Sequence, residues 1–420
     1  MRDFDCEVLI IGAGPAGMAA ARAAAESGKS IVVLDDNPRP GGQIWRDGPA
    51  VQLPAVATEY RQALQGLNHV KLLNASRVVA QYGGRQILYE SAQEYGLISY
   101  QRLILCCGAR ELLLPFPGWT LPGVSGAGGL QAQIKNGLSV KGLRVAIAGS
   151  GPLLLAVANS VVKAGGEVVL LAEQASLRRM LAFSCELWRW PTKLRQAFTL
   201  ANRHYRTSSQ VIAAEGVERI ESVQVRQGKR IYTLGCDRLA CGFGLVANIE
   251  LALLLGCRIV DEAVAVDRWQ QTSVKQIFAA GECTGVGGSE LALVEGAIAG
   301  YAATENNEKA LQQMALRARW QRFAMAVAQA FSLHPALKAL ALPDTLLCRC
   351  EDVQLGQVSE YTDWASAKLG SRCGMGACQG KICGAAARHL FDWPLSTPRV
   401  PLTPARVEAL ALLAPSKMEQ

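Results

Sequence analysis

Two stretches of the chain set apolar runs around glycine-rich turns in the order that predicts strand, turn, helix, strand. In the first, residues 8–11 lead into Gly12-Ala-Gly14-Pro15-Ala16-Gly17. An alanine-rich segment follows, and a second apolar run at 31–34 ends in Asp35 and Asp36. The second stretch, residues 144–173, repeats the order with Gly149 and Gly151 in the first two glycine places, Leu154 in the third and Glu173 at the end. Between them the pattern weakens. It predicts a helix near 57–67, hairpin strands around Gly83 and Gly84, and a buried strand at 103–107 that runs into Gly108-Ala-Arg110. Further on come a small-residue helix at 289–304 and an amphipathic helical stretch at 305–342 that Pro343 breaks. The prolines at 394, 398, 401, 404 and 415 predict an extended terminal arm that either wraps a partner or stays unstructured.

The first glycine pattern points to dinucleotide binding. Gly12 makes a tight turn, Gly14 admits a pyrophosphate to the backbone, and Gly17 lets helix and strand pack closely. The helix N-terminus offers free N–H groups to phosphate, and Asp35 stands at the spacing of an acid that binds the adenosine ribose. Leu154 in the third place of the second unit implies a helix set farther from its strand and a weaker site. Glu173 favours an unphosphorylated ribose there, although Arg178 and Arg179 blur that preference, so ATP and NAD(P) both stay open as ligands.

With 420 residues, half of them apolar and 19 % charged, the chain is expected to fold into two or three domains with large cores. A net charge of +8 without a compact Lys/Arg run excludes a nucleic-acid signature. No apolar run is long enough to span a bilayer, and no secretory hydrophobic region follows the start. A cytoplasmic protein is therefore expected, at most peripheral at the inner membrane. In that setting thirteen cysteines are not a disulfide framework. Cys106 and Cys107 are expected to be small core fillers. No Cys-x2-Cys pair occurs, and outside the C-terminal group only Cys236 and Cys241 show a Cys-x4-Cys spacing. None of the four histidines lies in a recognisable motif, and the segment 185–205, rich in Trp and Arg, suits either an interface or an ordinary half-exposed helix.

Five cysteines fall within 348–383: Cys348, Cys350, Cys373, Cys378 and Cys383. Residues two apart on a strand lie too far apart to share one centre, so Cys348 and Cys350 require a turn. Residues five apart diverge by about 140° on a helix, which puts Cys378 just before a helix that carries Cys383. An iron–sulfur cluster, a zinc site and redox-regulated thiols are all open to such a group, although Cys-x-Cys fits common zinc patterns poorly.

GAGPAG followed by Pro40-Gly41-Gly42-Gln43 resembles the FAD domain of the pyridine-nucleotide-disulfide reductase superfamily. Gly108 then matches its crossover, and Ala-Ala-Gly281-Glu282-Cys-Thr-Gly matches its second FAD signature, with Glu282 where an aspartate is usual. The Cys-x-Cys…Cys-x4-Cys spacing resembles the [2Fe–2S] domain of the bacterioferritin-associated ferredoxin type. Taken along the whole chain, the set is similar to the α subunits of heteromeric flavin dehydrogenases of the opine oxidase, D-hydroxyproline/proline dehydrogenase and hydrogen cyanide synthase group.

That resemblance implies an α/β chain with two Rossmann-like domains of the glutathione/thioredoxin reductase kind and a small helical four-cysteine domain. The expected parts are an FAD domain at 1–125 and 241–305, a second nucleotide domain at 126–240, a connector at 306–343, a cluster domain at 344–390 and a tail at 391–420. Implied FAD contacts are Gly12, Gly14, Pro15, Ala16, Gly17, Asp35, Asp36, Gly41, Gly42, Gln43, Gly108, Gly281 and Glu282. Gly149, Gly151 and Glu173 serve the second nucleotide, and Cys348, Cys350, Cys378 and Cys383 hold the [2Fe–2S] cluster, with Cys373 surplus. The resemblance further implies amine oxidation on a partner β subunit of the D-amino-acid or sarcosine oxidase kind, an FMN at a subunit contact and a small ferredoxin-like third component. The alternatives are a self-sufficient NAD(P)H-dependent reductase and a purely structural cofactor-binding subunit.

Overall fold

The computed structural model describes residues 1–49 and 51–414, so the last six residues of the expected tail lie outside the described residues. The opening strand, β1 (Phe4–Ile11), is apolar on both faces and sits mid-sheet, as a strand covered on both sides must. It is followed by α1 (Pro15–Ala25), β2 (Ile31–Leu34), α2 (Ala55–Leu64), β3 (Val70–Leu73), β4 (Ser76–Tyr82), β5 (Gln86–Ser91) and β6 (Tyr95–Leu105). The sheet order is β3-β2-β1-β6-β5-β4, with the late strand Ile277–Ala279 parallel to β6. The β1, β2 and β3 pairings are parallel, whereas β4, β5 and the start of β6 form an antiparallel meander turned at Gly83.

The small-residue helix Ser289–Ala303 lies directly on α1. A Cβ at Gly296 would stand 2.1 Å from the Ala16 carbonyl oxygen, and one at Gly300 would stand 2.3 Å from that of Ala20. Only glycine permits this approach, which fixes the second signature, at Gly281, against the start of α1.

A short antiparallel ribbon, β7 (Ala109–Glu111) with the returning strand Leu245–Ala247, joins the two nucleotide-type units. The second sheet is parallel throughout, built from β8 (Val124–Gly126), β9 (Arg144–Gly149), β10 (Glu167–Glu173) and the strands Tyr205–Arg206 and Arg238–Gly242. Its helices include α3 (Ala127–Lys135), α4 (Leu153–Lys163), α5 (Leu177–Glu186) and α6 (Pro191–Thr199). Leu112, Leu114, Phe116 and Trp119, between the ribbon strand β7 and β8, are buried in this second core. Leu154 does not push α4 off its strand. It is fully buried, and its Cδ2 lies 2.9 Å from where a Cβ at Gly242 would be, so the missing glycine has moved to the neighbouring strand.

The connector forms helices Asn307–Gln312 and Met314–Ala330 and a 3-10 turn at Pro335–Ala339. The cysteine-bearing unit closes around Leu347, Val353, Val358, Ala367 and Ala387. The terminal arm wraps its own chain. Leu402 N–H donates to the Val79 carbonyl at 2.8 Å, the Thr403 hydroxyl donates to that of Val78, and Leu410, Leu412 and Leu413 cover Val79 and Leu88. No helix among the described residues is long and apolar enough to cross a membrane.

Candidate functional site

The first glycine turn is sealed by contacts that no other residue type permits. Gly12 has φ +103°, and a Cβ there would lie 2.2 Å from the Cys106 carbonyl oxygen; one at Gly17 would lie 1.7 Å from that of Gly12. Pro15 opens α1, where its missing N–H costs nothing. Ala16 packs beneath Gly281, and the amides of Ala16 and Gly17 precede the first intrahelical bond, Met18 N–H to the Gly14 carbonyl. The second loop closes over this turn: Gly41 N–H donates to the Ala13 carbonyl at 2.8 Å, and a Cβ at Gly42 would sit 3.0 Å from the Gly14 Cα.

Asp35, buried at the end of β2, accepts hydrogen bonds from the Ala13 and Asn37 amides, which ties strand end to turn. Asp36 and Gln43 are exposed, and Gln43 accepts from the Arg46 guanidinium at 2.8 Å. Gly108, at φ +67°, faces open space where the crossover strand ends. Burial pushes the Glu282 carboxyl up, against one opposing amide from Gly288. The Arg46 Nε is buried without a hydrogen-bond partner. Lys135 donates to the Ile44 carbonyl, and burial together with the Arg46 charge pushes its ammonium down. A glycine cradle with an unpartnered guanidinium nitrogen at its rim fits an anionic, pyrophosphate-bearing cofactor.

The corresponding turn of the second unit is differently engaged. Glu173 is fully buried, and its carboxylate accepts from the Gly151 amide at 2.9 Å, the Ser150 hydroxyl at 3.0 Å, the Ala175 amide at 2.8 Å and the Tyr205 hydroxyl at 3.4 Å. Its oxygens are thus turned inward. Gly149 packs on the Gly242 carbonyl, and Gly151 faces open space.

In the C-terminal unit the strand Leu346–Cys348 pairs with Val353–Gln354, and the turn between them carries Cys350. Helix Cys383–Phe391 begins at the last thiol, with Cys378 in the loop before it. The Sγ atoms of Cys348, Cys373 and Cys383 all lie within 4.8 Å of one another, and all three residues are buried. Cys350 is exposed and stands outside this trio, and the Cys378 thiol beside it contributes to the raising of its own. The loop is shaped by the Trp364 ring: a Cβ at Gly374, Gly380 or Gly384 would meet it at 2.6, 2.9 and 3.2 Å. Burial raises the Cys348 thiol, and the Cys373 thiol, with burial, raises Cys383. At Cys378 burial is outweighed by the backbone amides of Ile382 and Gly380, which lower it. A donor set of thiols alone fits an iron–sulfur cluster and equally fits zinc.

The cysteine unit touches the first nucleotide unit through Arg110 on β7. Its Nε donates to the Lys381 carbonyl at 3.1 Å, and its other nitrogens reach Asn248 Oδ1 at 2.7 Å and Glu250 at 2.8 Å. Asn248 in turn donates to the Cys107 carbonyl beside Gly108. The loop between Cys378 and Cys383 is thereby pinned to the crossover next to the glycine turn.

Comparison with known proteins accounts for this arrangement. Residues 6–313 match the family model described as pyridine nucleotide-disulphide oxidoreductase. The chain belongs to that family. Among curated proteins, the chain is 32 % identical to the HcnB subunit of the hydrogen cyanide synthase of Pseudomonas aeruginosa, over 94 % of this chain and 96 % of the relative. It is 29 % identical to an opine oxidase subunit of Rhizobium meliloti, over 96 % and 98 % respectively. In fold it is similar to the L-proline dehydrogenase of P. horikoshii, with a TM-score of 0.67 and 18 % identity over 97 % of this chain and 80 % of that one. This chain is accordingly an FAD-dependent oxidoreductase, and its relatives named as subunits place it among components of larger complexes.

Within this oxidoreductase, the structure brings Gly12, Gly14, Pro15, Ala16, Gly17, Asp35, Gly41, Gly42 and Gly281 into one cradle, with Glu282 and Gly108 at its margins. Cys373, surplus by spacing alone, sits inside the buried thiol trio. Cys236 and Cys241 are buried in the second core and do not form a redox pair beside the turn. Sequence reasoning missed Arg46 and Lys135, although Arg46 stands three residues after Gln43 and a lone cation beside a phosphate loop is a usable signal. In 185–205 Arg189 lies over the Trp188 ring at 5.8 Å and Lys193 over Phe323 at 5.6 Å, while Trp188 is 69 % exposed.

Proposed function

We propose that this chain is the electron-transfer flavoprotein subunit of a heteromeric dehydrogenase for an amino or imino acid. D-hydroxyproline- and proline-like substrates are favoured over opines and glycine. Substrate oxidation then occurs on a partner of the D-amino-acid or sarcosine oxidase kind, with an FMN at the contact and a small ferredoxin-like protein completing the complex. Bound FAD supplies two-electron chemistry and a [2Fe–2S] cluster one-electron chemistry.

The observation that carries this reading is the Arg110 clamp, which holds the thiol loop against the crossover of the glycine cradle. No histidine supplies the cradle with a base. None of the four histidines bonds into it: His69 bonds the Ala25 carbonyl, His204 bonds Arg203, and His334 caps a turn, while His389 lies beside Lys338 and Asp392. In this reading Gly12–Gly17 and Gly41–Gly42 bind and orient the cofactor, Arg46 and Lys135 balance its phosphates, and the cysteine unit holds the cluster with Cys348, Cys350, Cys378 and Cys383.

The decisive experiment is anaerobic titration of the purified chain, alone and with its co-purifying partner. Flavin bleaching by amine only in the presence of the partner is the expected result. Rapid bleaching of the lone chain by NADH or NADPH would overturn the proposal, and a cluster that never reduces in turnover would leave it a structural role.

A further inference from the structure

We infer that the second nucleotide-type cleft is a socket for this chain's own connector, and that residues 331–337 fill the place a dinucleotide would take. The inference goes beyond the proposed function and holds whatever substrate the partner oxidises.

In open α/β sheets a nucleotide lies across the carboxyl ends of the strands, its phosphates at the glycine turn and its ribose at the acid ending the second strand. Both positions are taken here. At the turn, the Ser150 hydroxyl donates to the Phe331 carbonyl at 2.9 Å, so the end of helix Met314–Ala330 abuts the Gly149–Gly151 loop. At the ribose position the chain continues over the end of β10. Gln174 Nε2 donates to the Ser332 carbonyl at 3.1 Å, the His334 amide donates to Gln174 Oε1 at 2.8 Å, and Arg179 reaches the Ser332 hydroxyl at 2.9 Å. Arg179, which in a nucleotide site would suit a phosphate, is thus engaged by the connector.

Beyond these bonds Leu337 is buried to 2 % exposure in the second core, beside Ala148. The space left between Leu337, Gly149, Gln174, Val211 and Phe243 is about 10 Å³, room for a single water at most. Glu173 is held inward by the Gly151 and Ala175 amides and the Tyr205 hydroxyl, with the single Ser150 proton shared between it and the Phe331 carbonyl, so its oxygens are turned away from a ribose. The dinucleotide fold is retained, and its ligand is a peptide segment. The consequence is mechanical: the connector is anchored at both ends of this crevice before it enters the cysteine unit.

The test uses the FAD-loaded chain, so that the first site is occupied. NADH and ATP, each at about 1 mM, a concentration that fills sites of micromolar affinity, are titrated by calorimetry while amide exchange is followed over 331–340. No binding heat and protected 331–337 amides are expected. Ser150→Ala is expected to speed their exchange about fivefold, and Ser150→Ala with Gln174→Ala about 30-fold or more, since the loss of one ordinary hydrogen bond shifts a local opening equilibrium by roughly that single factor. Ser150→Ala removes a single hydroxyl and keeps the fold assayable. Stoichiometric NADH or ATP binding with unchanged 331–337 exchange would overturn the inference. So would exchange of that segment at the rate of a free peptide in the wild-type chain.

Discussion

Arg110→Ala loosens the cysteine unit from the first nucleotide unit with the least damage to either. The Arg110 side chain is 16 % exposed and makes three contacts that converge from different parts of the chain: the Lys381 carbonyl, Asn248 Oδ1 and Glu250. The Glu250 side chain is 35 % exposed, so that ion pair is screened and contributes about 0.5 kcal/mol. Only the Lys381 bond crosses to the cysteine unit, and the Asn248 and Glu250 contacts hold the guanidinium in place for it. A bond from a charged donor contributes about 1.5 kcal/mol at the low end, so its loss raises local opening of the 378–383 loop about tenfold. Hydrogen exchange of the Gln379–Cys383 amides reads this directly, and the rate of flavin-to-cluster electron transfer reads its consequence. Arg110→Lys keeps a charge near Glu250 but loses the planar fork, so it is expected to recover less than half of the effect. Unchanged exchange and an unchanged transfer rate in Arg110→Ala would refute the view that this contact sets the distance between the sites.

Gly17→Ala drives a methyl to 1.7 Å from the Gly12 carbonyl oxygen, so the purified protein is expected to carry no flavin, read as loss of the visible flavin absorbance; a full flavin content would count against the cradle. Arg406→Ala leaves the buried Glu90 carboxylate with Arg77 and the residue-406 amide and is expected to destabilise the arm by about 2 kcal/mol, seen as faster proteolysis after residue 400. Burial raises Glu90, but its bonds to Arg406 and Arg77 prevail and hold it below the usual carboxylate range. The stabilisation is therefore complete above the unfolded value of about 4.3 and fades as pH falls through the lower folded value, so the wild-type arm is expected to release only in acid. Cys348→Ser, Cys378→Ser and Cys383→Ser are each expected to abolish iron binding and Cys373→Ser to keep it; iron lost from Cys373→Ser and kept in Cys378→Ser would put Cys373 in the set in place of Cys378.

The first unit is legible in the sequence because its constraints are local. Gly12, Gly14 and Gly17 act within six residues of one another, and the parallel core reads as short apolar runs at 8–11 in β1, 31–34 in β2 and 103–105 in β6. The second unit misleads at Leu154 because its compensation, Gly242, lies on a strand far along the chain. The terminal arm is ambiguous for a similar reason: its prolines announce extended chain, but the pairing of Leu402 with Val79 depends on a distant edge strand. The thiol loop is half legible. Spacing places Cys378 before the helix that begins at Cys383, but Arg372 at φ +66° and Gln379 at φ +53° bend the loop in ways no spacing rule reveals. Those bends carry Cys373 inward beside Cys348 and leave Cys378 against Cys350.

The two glycine turns diverge through the fate of one acid each. Asp35 is anchored by the Ala13 and Asn37 amides, and the Gly41–Gly42 loop lies over the turn in front of it, with Arg46 Nε buried and unpartnered nearby. Glu173 draws the Gly151 amide, the Ser150 hydroxyl and Tyr205 onto itself, and the connector then covers the turn by way of Phe331. Burial pushes the Glu173 carboxyl up, so its ring of donors compensates a desolvated group and does not wait for a ligand. Two copies of one fold can thus be assigned different tasks without reference to sequence likeness: the turn with an unpartnered guanidinium nitrogen beside it suits an anionic cofactor, and the turn covered by the connector does not.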